Sequence, residues 1–415
     1  MNEKGEGPIQ YWQFNYIRLS IILFVAILTF FLMLSISPKR TCGDFHVYYA
    51  SSHNYLSGNP IYIAHEGIEE FKYSPLFALV FSPFTMLQEH SALYLWSVLN
   101  IFLLYLIFYL FYKLKLVSFA TPRDLLLIFC LFALTGRFIF ENIKIGQINI
   151  LLCCLLVLTM YWEKSQKDFL ASIALAFSLM IKFFPLLFLV YFLLKRRFRL
   201  AGLTGLMVVF FLLLPSIYSG LSLNLKYIHE WFLLLKLTPA PLLYSVKNNS
   251  FLSFYSWVYI AGHGIYYIFD YGLIKTGLTS AVYWAWAGTC FVFFAGFFYD
   301  TIVMRNDKAQ ISYWDYACLF VCCLLFNPLA YLNALVLLIV PYFFVLRYLI
   351  YSKWRGKYIL PIAFLVLLGL ILNIVDHKMF YKDIYQYYVI LQYKPLMWTM
   401  IFLYFSLCIC KRSEC

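Results

Sequence analysis

Charged residues are scarce in this chain: they make up 12% of its 415 residues, whereas 64% are hydrophobic. This composition lacks the polar surface that one soluble core of such size requires. Acidic residues are fewer than basic residues, 19 against 32. The basic residues form short clusters between apolar runs and do not alternate with aromatic residues. We therefore exclude a soluble protein, find no pattern of a nucleic-acid-binding protein, and predict a polytopic membrane protein.

Metal-ligand spacing, a disulfide framework and internal repeats are also missing from the sequence. Many of the 11 cysteines lie inside apolar runs and are interpreted as packing thiols. The first apolar stretch, near residues 19–34, lacks the small-residue cleavage pattern of a signal peptide and is predicted to be a retained signal anchor. We treat residues 1–415 as one integral-membrane domain.

Apolar runs separated by short polar loops predict an all-α bundle of about 10–13 transmembrane helices. Several runs are shorter than the roughly 20 residues that cross a bilayer, which is typical of broken or re-entrant helices that line a polar cavity. The candidate spans lie near residues 19–36, 74–88, 91–112, 124–140, 147–162, 169–195, 200–217, 251–269, 276–299, 311–326, 329–349, 358–375 and 394–410.

Basic clusters predict which loops are cytoplasmic, notably residues 195–199, 347–357 and 411–412. Residues 37–73 and 218–250 are then extracytoplasmic loops, each with a short helix on the membrane surface. One conflict stays open at this point. Residues 74–112 need an odd number of crossings, yet the sequence indicates two helices separated by a polar interruption at 88–90.

The first outer loop contains an isolated acidic residue, Asp44, followed by Tyr48 and Tyr49. A carboxylate beside the membrane could act as a general base on a polar acceptor, or it could form an ion pair or cap a helix. The tyrosines could contact a ligand, although aromatic belts at the interface explain many such residues.

Other polar residues sit inside or beside apolar runs. Lys182 lies within the run 169–195, where an ammonium is costly unless it faces a cavity or an anion, and Pro185 supplies a helix break that would open a cavity. Snorkelling is the alternative. Gln147 and Asn149 could bind sugar hydroxyls or join two helices. Asn249 could bind a ligand or cap a helix, and His229 is a lesser candidate for contacting an anion.

The order of several short motifs resembles glycosyltransferase family 87, whose members have the GT-C fold. The likeness spans roughly residues 15 to 350 and includes Tyr73. Its motifs are Asp44-Phe45 with Tyr48-Tyr49, Gly58-Asn59-Pro60, Phe71-Lys72-Tyr73-Ser74-Pro75, Gly146-Gln147-Ile148-Asn149, Lys182-Phe183-Phe184-Pro185, Asn248-Asn249-Ser250 and Asn327-Pro328-Leu329-Ala330-Tyr331.

The resemblance implies a polyprenyl-phosphate-linked sugar donor, commonly of mannose, and a glycolipid or glycan acceptor among membrane lipids. It implies an acid of the first loop as base, here Asp44, and inversion at the anomeric carbon. We expect no metal and no cofactor, and residence in a bacterial cytoplasmic membrane with the site on the outer face. Asn333 stands where the family has histidine. Its amide can hydrogen-bond a phosphate but carries no charge, so the phosphate is bound elsewhere or the donor differs, and His377 is a candidate substitute.

Other functions remain open on the sequence alone. A lipid-linked glycan flippase or transporter, a polysaccharide polymerase-like protein, or another lipid-linked transferase would also combine many spans, tyrosine-rich outer loops and a buried lysine. A transporter is expected to have two related halves with paired broken helices, which we do not find. The large polar loops here are early and poor in arginine, whereas a polymerase is expected to place such a loop late.

Overall fold

A computed structural model of the chain describes residues 43–62, 71–236, 280–298, 311–327, 329–352, 358–376 and 394–413. All regular elements in these ranges are helices, which confirms the all-α class. They are α1 (Gly43–Leu56), α2 (Pro75–Phe81), α3 (Glu89–Lys113), α4 (Pro122–Lys144), α5 (Asn149–Lys164), α6 (Asp168–Ile181), α7 (Leu186–Leu194), α8 (Phe198–Leu213), α9 (Ser216–Ser219), α10 (Leu221–Lys236), α11 (Ser280–Phe298), α12 (Tyr313–Leu325), α13 (Ile339–Tyr351), α14 (Ile359–Val375) and α15 (Pro395–Ser413), with 3-10 helices at Ser82–Met86 and Leu332–Leu338.

Long and short apolar helices coexist, as the sequence predicted. Within the described ranges, four segments are long and apolar enough to cross a membrane: α3, α4, Phe198–Ser219 and Leu332–Tyr351. Five further apolar helices are shorter than that. The predicted spans at 19–36 and 251–269 lie outside the described residues, so the expected total of 10–13 helices stays a prediction.

The conflict over residues 74–112 disappears in the structure. Residues 75–86 form α2 and a 3-10 helix, a short apolar segment that is not long enough to cross. Helix α3 has 25 residues and is about 38 Å long at about 1.5 Å per residue, enough for a hydrocarbon core of about 30 Å. Between the first loop and the α3–α4 turn the chain therefore has one helix long enough to cross the membrane, not two. This odd number agrees with the predicted alternation of outer and cytoplasmic loops.

The predicted cytoplasmic clusters meet at one end of the bundle, which we call the basic end. Arg197 Nη2 lies 2.6 Å from Glu163 Oε1 and so joins the α7–α8 turn to the end of α5. At this end Lys411 Nζ lies 2.8 Å from Asp315 Oδ1, and both of these side chains are 1% exposed. Arg347 Nε donates to the Leu116 carbonyl (2.8 Å), and this bond connects the α3–α4 turn to the same end of the bundle.

The predicted outer loops meet at the other end, which we call the tyrosine end. The Tyr55 hydroxyl donates to the Pro215 carbonyl (2.8 Å) and the Tyr227 hydroxyl to the Asn59 carbonyl (2.7 Å). These bonds join α1 to the α8–α10 region and confirm that residues 221–236 form a helix beside the first loop. Helix α1, which begins at Gly43, is the helix predicted in the first loop.

The helices of the basic end begin at strong capping signals. Thr121 accepts from the backbone N–H of Asp124, whose carboxylate accepts from the Thr121 N–H in return, and Pro122 takes the first helical position. Ser312 and Asp315 form the same capping box on α12. Helix α12 is buried along nearly its whole length, so it forms the centre of the bundle. Close packing, rather than exclusion of water, holds such helices together in lipid.

Candidate functional site

Helix α1 lies directly on the α4–α5 turn at the tyrosine end. Gly146, in that turn, has φ +69°, and a Cβ built on it would lie 2.7 Å from the Phe45 Cβ. Glycine is required here for both reasons: the left-handed conformation and the close approach of Phe45. The missing side chain therefore lets α1 reach the residues that follow Gly146.

A chain of hydrogen bonds crosses this contact and joins four segments. The Tyr48 hydroxyl lies 2.9 Å from the Tyr73 hydroxyl and donates to Gln147 Oε1 at 3.2 Å. Asn149 Nδ2 donates to the same Gln147 oxygen at 3.4 Å, and Lys182 Nζ donates to Asn149 Oδ1 at 2.5 Å. We call these five residues the Tyr48–Lys182 cluster. All five were predicted as site residues from the sequence.

Lys182 lies at the predicted helix break. Helix α6 ends at Ile181, Lys182 itself is extended (φ −146°, ψ 150°), and α7 begins after Pro185. Lys182 is partly buried, whereas its partner Asn149 is fully buried. Unwound backbone at membrane depth is tolerated where it lines a polar cavity, so the break places an ammonium where it can meet an anion.

Aromatic rings enclose the tyrosine side of the cluster. The Tyr48 ring meets three rings edge to face: Tyr73 at 5.1 Å, Phe77 at 5.3 Å and Phe81 at 5.7 Å between centroids. Such pairs are favourable beyond their buried area. Tyr48 is only 1% exposed, so its hydroxyl is fixed in place as a donor to Gln147.

Asp44 stands in the first turn of α1, one helical turn before Tyr48. Residues four apart lie on one face of a helix, so Asp44 and Tyr48 share a face. Asp44 is partly buried. A carboxylate in the first turn is also favoured by the helix dipole, and this structural role accounts for an acid at this position without any chemistry.

The remaining predicted residues lie apart from the cluster or outside the described part of the chain. The Tyr49 hydroxyl donates to the Leu87 carbonyl (2.8 Å), so it joins α1 to the start of α3. His229 is exposed on α10. Asn333 accepts a hydrogen bond from Asn142 Nδ2 (3.0 Å) through its backbone carbonyl, not its amide. Asn249 and His377 lie outside the described residues.

Three polar contacts beside the cluster were missed from the sequence. His46 Nδ1 lies 2.7 Å from Glu89 Oε1, and Trp231 Nε1 donates to the Lys72 carbonyl at 3.1 Å. Asn142, fully buried, links α4 to the segment at Asn333. The polar interruption at residues 88–90 was the one available signal for the first contact; the other two bonds end on backbone carbonyls, which sequence patterns do not mark.

A buried ion pair lies farther along α4. Arg137 Nη2 lies 2.9 Å from Asp376 Oδ2 in the loop after α14. Burial raises the pKa of Asp376 to about 6, against the lowering effect of Arg137. Within the described ranges, no group of three or more histidine, cysteine, aspartate or glutamate side chains is arranged so that it could bind a metal ion.

These features define a class: an α-helical membrane protein with a tyrosine- and amide-lined polar cluster built around one lysine at a helix break. The sequence model of glycosyltransferase family 87 matches residues 71–328, more than half of the chain, and the chain belongs to this family. It is therefore a membrane glycosyltransferase. No curated protein and no solved structure gives a significant match.

The family match covers four of the five cluster residues but begins after α1. Tyr73, Gln147, Asn149 and Lys182 fall within it, whereas Asp44 and Tyr48 precede it and Asn333 follows it. The family match therefore assigns no role to α1, whose role is inferred from its contacts with the matched region.

Proposed function

We propose that this glycosyltransferase moves a sugar, most commonly mannose in the family it resembles, from a polyprenyl-phosphate donor to a glycolipid or glycan acceptor. The reaction takes place at the tyrosine end, on the outer face of a bacterial cytoplasmic membrane. The observation that carries the proposal is the 2.5 Å contact of Lys182 with Asn149 at the α6–α7 break, on the same end of the bundle as Asp44.

The leaving group explains the need for a lysine. As the bond between the anomeric carbon and the phosphate oxygen breaks, the polyprenyl phosphate gains negative charge. Lys182 is the cation of the cluster, and Asn149 holds its ammonium from a fully buried position. A fixed ammonium stabilises the developing charge without reorganisation at the moment of reaction.

The acceptor explains the need for a carboxylate. When the acceptor hydroxyl attacks the anomeric carbon, its proton passes to a base, and we assign that role to Asp44. Asp44 shares a helix face with Tyr48, whose hydroxyl reaches Gln147. One displacement inverts the anomeric centre, so a β-linked donor gives an α-linked product. The amides of Gln147 and Asn149 are suited to the sugar hydroxyls, and no metal is needed for these steps.

A transfer assay with Asp44→Asn tests the proposal. The asparagine cannot accept the proton, so we expect turnover of a labelled polyprenyl-phosphate mannose in membranes to fall by roughly 10²–10⁴-fold. Asp168→Asn is the matched control, because Asp168 is also a first-turn acid but belongs to α6 at the basic end. It should retain turnover.

A structural role for Asp44 predicts a different outcome. If Asp44 only complements the dipole of α1, the substitution lowers the thermal midpoint by a few degrees, while the remaining folded protein turns over at the normal rate. Normal turnover per folded molecule in Asp44→Asn overturns the assignment of the base.

A further inference from the structure

A cavity of about 480 Å³ opens at the basic end, between the α3–α4 turn and the end of α13. The Tyr48–Lys182 cluster lies near the opposite end of α3, which is about 38 Å long. Chemistry-bearing side chains line the cavity, and the proposed transfer uses none of them. They include Lys113, Lys115, Ser118, Asp124 and Arg347.

The charges in this cavity do not balance. Three cations line it, but its one carboxylate, Asp124, accepts from neutral donors. Asp124 Oδ1 accepts from the Tyr351 hydroxyl (2.5 Å), and Oδ2 accepts from the hydroxyls of Ser118 (2.7 Å) and Thr121 (2.9 Å). The acid therefore fixes the shape of the turn, and with three cations against one carboxylate the cavity has a net charge of +2.

Lys115 is placed at a conformational cost. It has φ +58° at the end of α3, where the Leu116 N–H donates to the Phe111 carbonyl (3.0 Å). This closing turn favours glycine at the left-handed position. The lysine is exposed, and among the described residues it forms no ion pair. Arg347, by contrast, is fixed at the cavity wall by its bond to the Leu116 carbonyl.

Apolar surface approaches the cavity along both flanking helices. Within two turns of it, α3 and α4 leave four large side chains about half exposed: Tyr109 (49%), Tyr112 (47%), Leu126 (50%) and Phe129 (60%). In a membrane protein such faces contact acyl chains. An amphiphile with an anionic head and apolar tails fits this combination, because its head meets the cations while its tails cover the helices.

We propose that the Lys115–Arg347 cavity binds the phosphodiester headgroup of an anionic glycerophospholipid. Lys115, Lys113 and Arg347 contact the phosphate, and the acyl chains lie along α3 and α4. Basic pockets between helices near the cytoplasmic surface recognise lipid phosphates by this chemistry. The site is separate from the donor site and does not depend on the transfer proposed above.

Lipid retention by purified protein tests this site. The full chain in a non-ionic detergent is titrated with phosphatidylglycerol or phosphatidylcholine, and bound lipid is counted by native mass spectrometry. We expect one tightly held phosphatidylglycerol per chain, with phosphatidylcholine binding at least about tenfold more weakly. Lys115→Gln should weaken phosphatidylglycerol about tenfold, and Lys115→Gln with Arg347→Gln should abolish the tight site.

The control is Lys167→Gln, an equal loss of charge at an exposed lysine of the α5–α6 turn outside the cavity. It should retain the wild-type affinity. Equal effects of Lys115→Gln and Lys167→Gln, or equal binding of the two lipids, overturn the proposal. A further arm adds inorganic phosphate: if phosphate alone protects the wild type, but not Lys115→Gln, against thermal unfolding and displaces the lipid, the ligand is a soluble phosphate instead.

Discussion

The two ends of the bundle close their helices with different residues. Among the described residues, the left-handed positions just after helices are glycines at the tyrosine end and long polar residues at the basic end. These positions are Gly58, Gly146 and Gly220 at the first end, and Lys115, Gln166 and Arg196 at the second. Phe119 (φ +55°) and Lys394 (φ +52°), which precede α4 and α15, are not part of this pattern. A non-glycine residue in the left-handed conformation costs roughly 1–2 kcal/mol. Of the three glycines only Gly146 permits a close approach, since nothing lies within 4 Å of a Cβ built on Gly58 or Gly220. The basic end instead places long side chains that extend past the turn.

The polar contacts of the Tyr48–Lys182 cluster also differ from those that close the basic end, although the tyrosine end contains the Arg137–Asp376 ion pair as well. At the tyrosine end, hydroxyls and amides position one lysine, as Tyr48, Gln147 and Asn149 do. At the basic end, full charges pair across helices, as Glu163 with Arg197 and Asp315 with Lys411 do. Neutral groups can bind sugar hydroxyls, whereas paired charges mainly anchor and orient the helices.

Lys182→Gln should show the largest difference between the ends. We expect turnover to fall by about 10²–10³-fold, because a fixed donor to the leaving phosphate is lost. Lys182→Arg should retain part of the activity, since it keeps the charge. Lys167→Gln, the same change at the basic end, should leave turnover within about twofold. Equal losses in Lys182→Gln and Lys167→Gln would remove the distinction between the two ends.

Gly146→Ala should separate close approach from backbone freedom. The new Cβ would lie 2.7 Å from Phe45 Cβ, so α1 must shift, and we expect roughly 3 kcal/mol of lost stability. Gly58→Ala is the matched control: its φ is +68°, but nothing lies within 4 Å of the new Cβ. That variant should lose about 1 kcal/mol. Denaturation in detergent measures both, and equal losses contradict the packing of α1.

Asp376 provides a pH test at the tyrosine end. Its folded pKa of about 6 exceeds the ordinary value of 3.8. Between about pH 4 and 6 the folded protein keeps a proton there that the unfolded chain has lost, so stability should fall as pH rises, by about 2–3 kcal/mol. Asp376→Asn should remove that slope and Asp168→Asn should not. The thermal midpoint is measured from pH 4 to 7, and an unchanged slope in Asp376→Asn is the contrary result.

Tyr48→Phe should have the smallest effect of the four. It removes the hydroxyl that contacts Tyr73 and Gln147 but keeps the ring, so we expect a loss of about 1–2 kcal/mol in stability and about tenfold in turnover. Tyr49→Phe removes one bond to the Leu87 carbonyl. It should lower turnover less than twofold, and a larger loss in Tyr49→Phe would move the site toward the start of α3.

The sequence predicted much of this site because the chemistry was unusual for a membrane. A lysine inside an apolar run, followed by Pro185, predicted the helix break that the structure contains. The amides of Gln147 and Asn149 were ambiguous between ligand binding and helix pairing, and the structure gives them contacts across helices. The resemblance to family 87 is confirmed by the match over residues 71–328.

Other features could not be predicted because they depend on distant contacts. Tyr48 and Tyr49 are adjacent in the sequence, and only the packing of α1 decides which one faces Gln147. The short segment 75–86 has the hydropathy of a span but not its length, because the 3-10 helix ends before Gln88. Lys115 could not be predicted at a left-handed position, since that position favours glycine.

A structure of the protein with bound polyprenyl phosphate tests the central claim most directly. We predict that a phosphate oxygen lies within hydrogen-bonding distance of Lys182 Nζ, with the anomeric position open toward Asp44. A phosphate held instead in the Lys115–Arg347 cavity, with the Tyr48–Lys182 cluster empty, would contradict the assignment of the two ends.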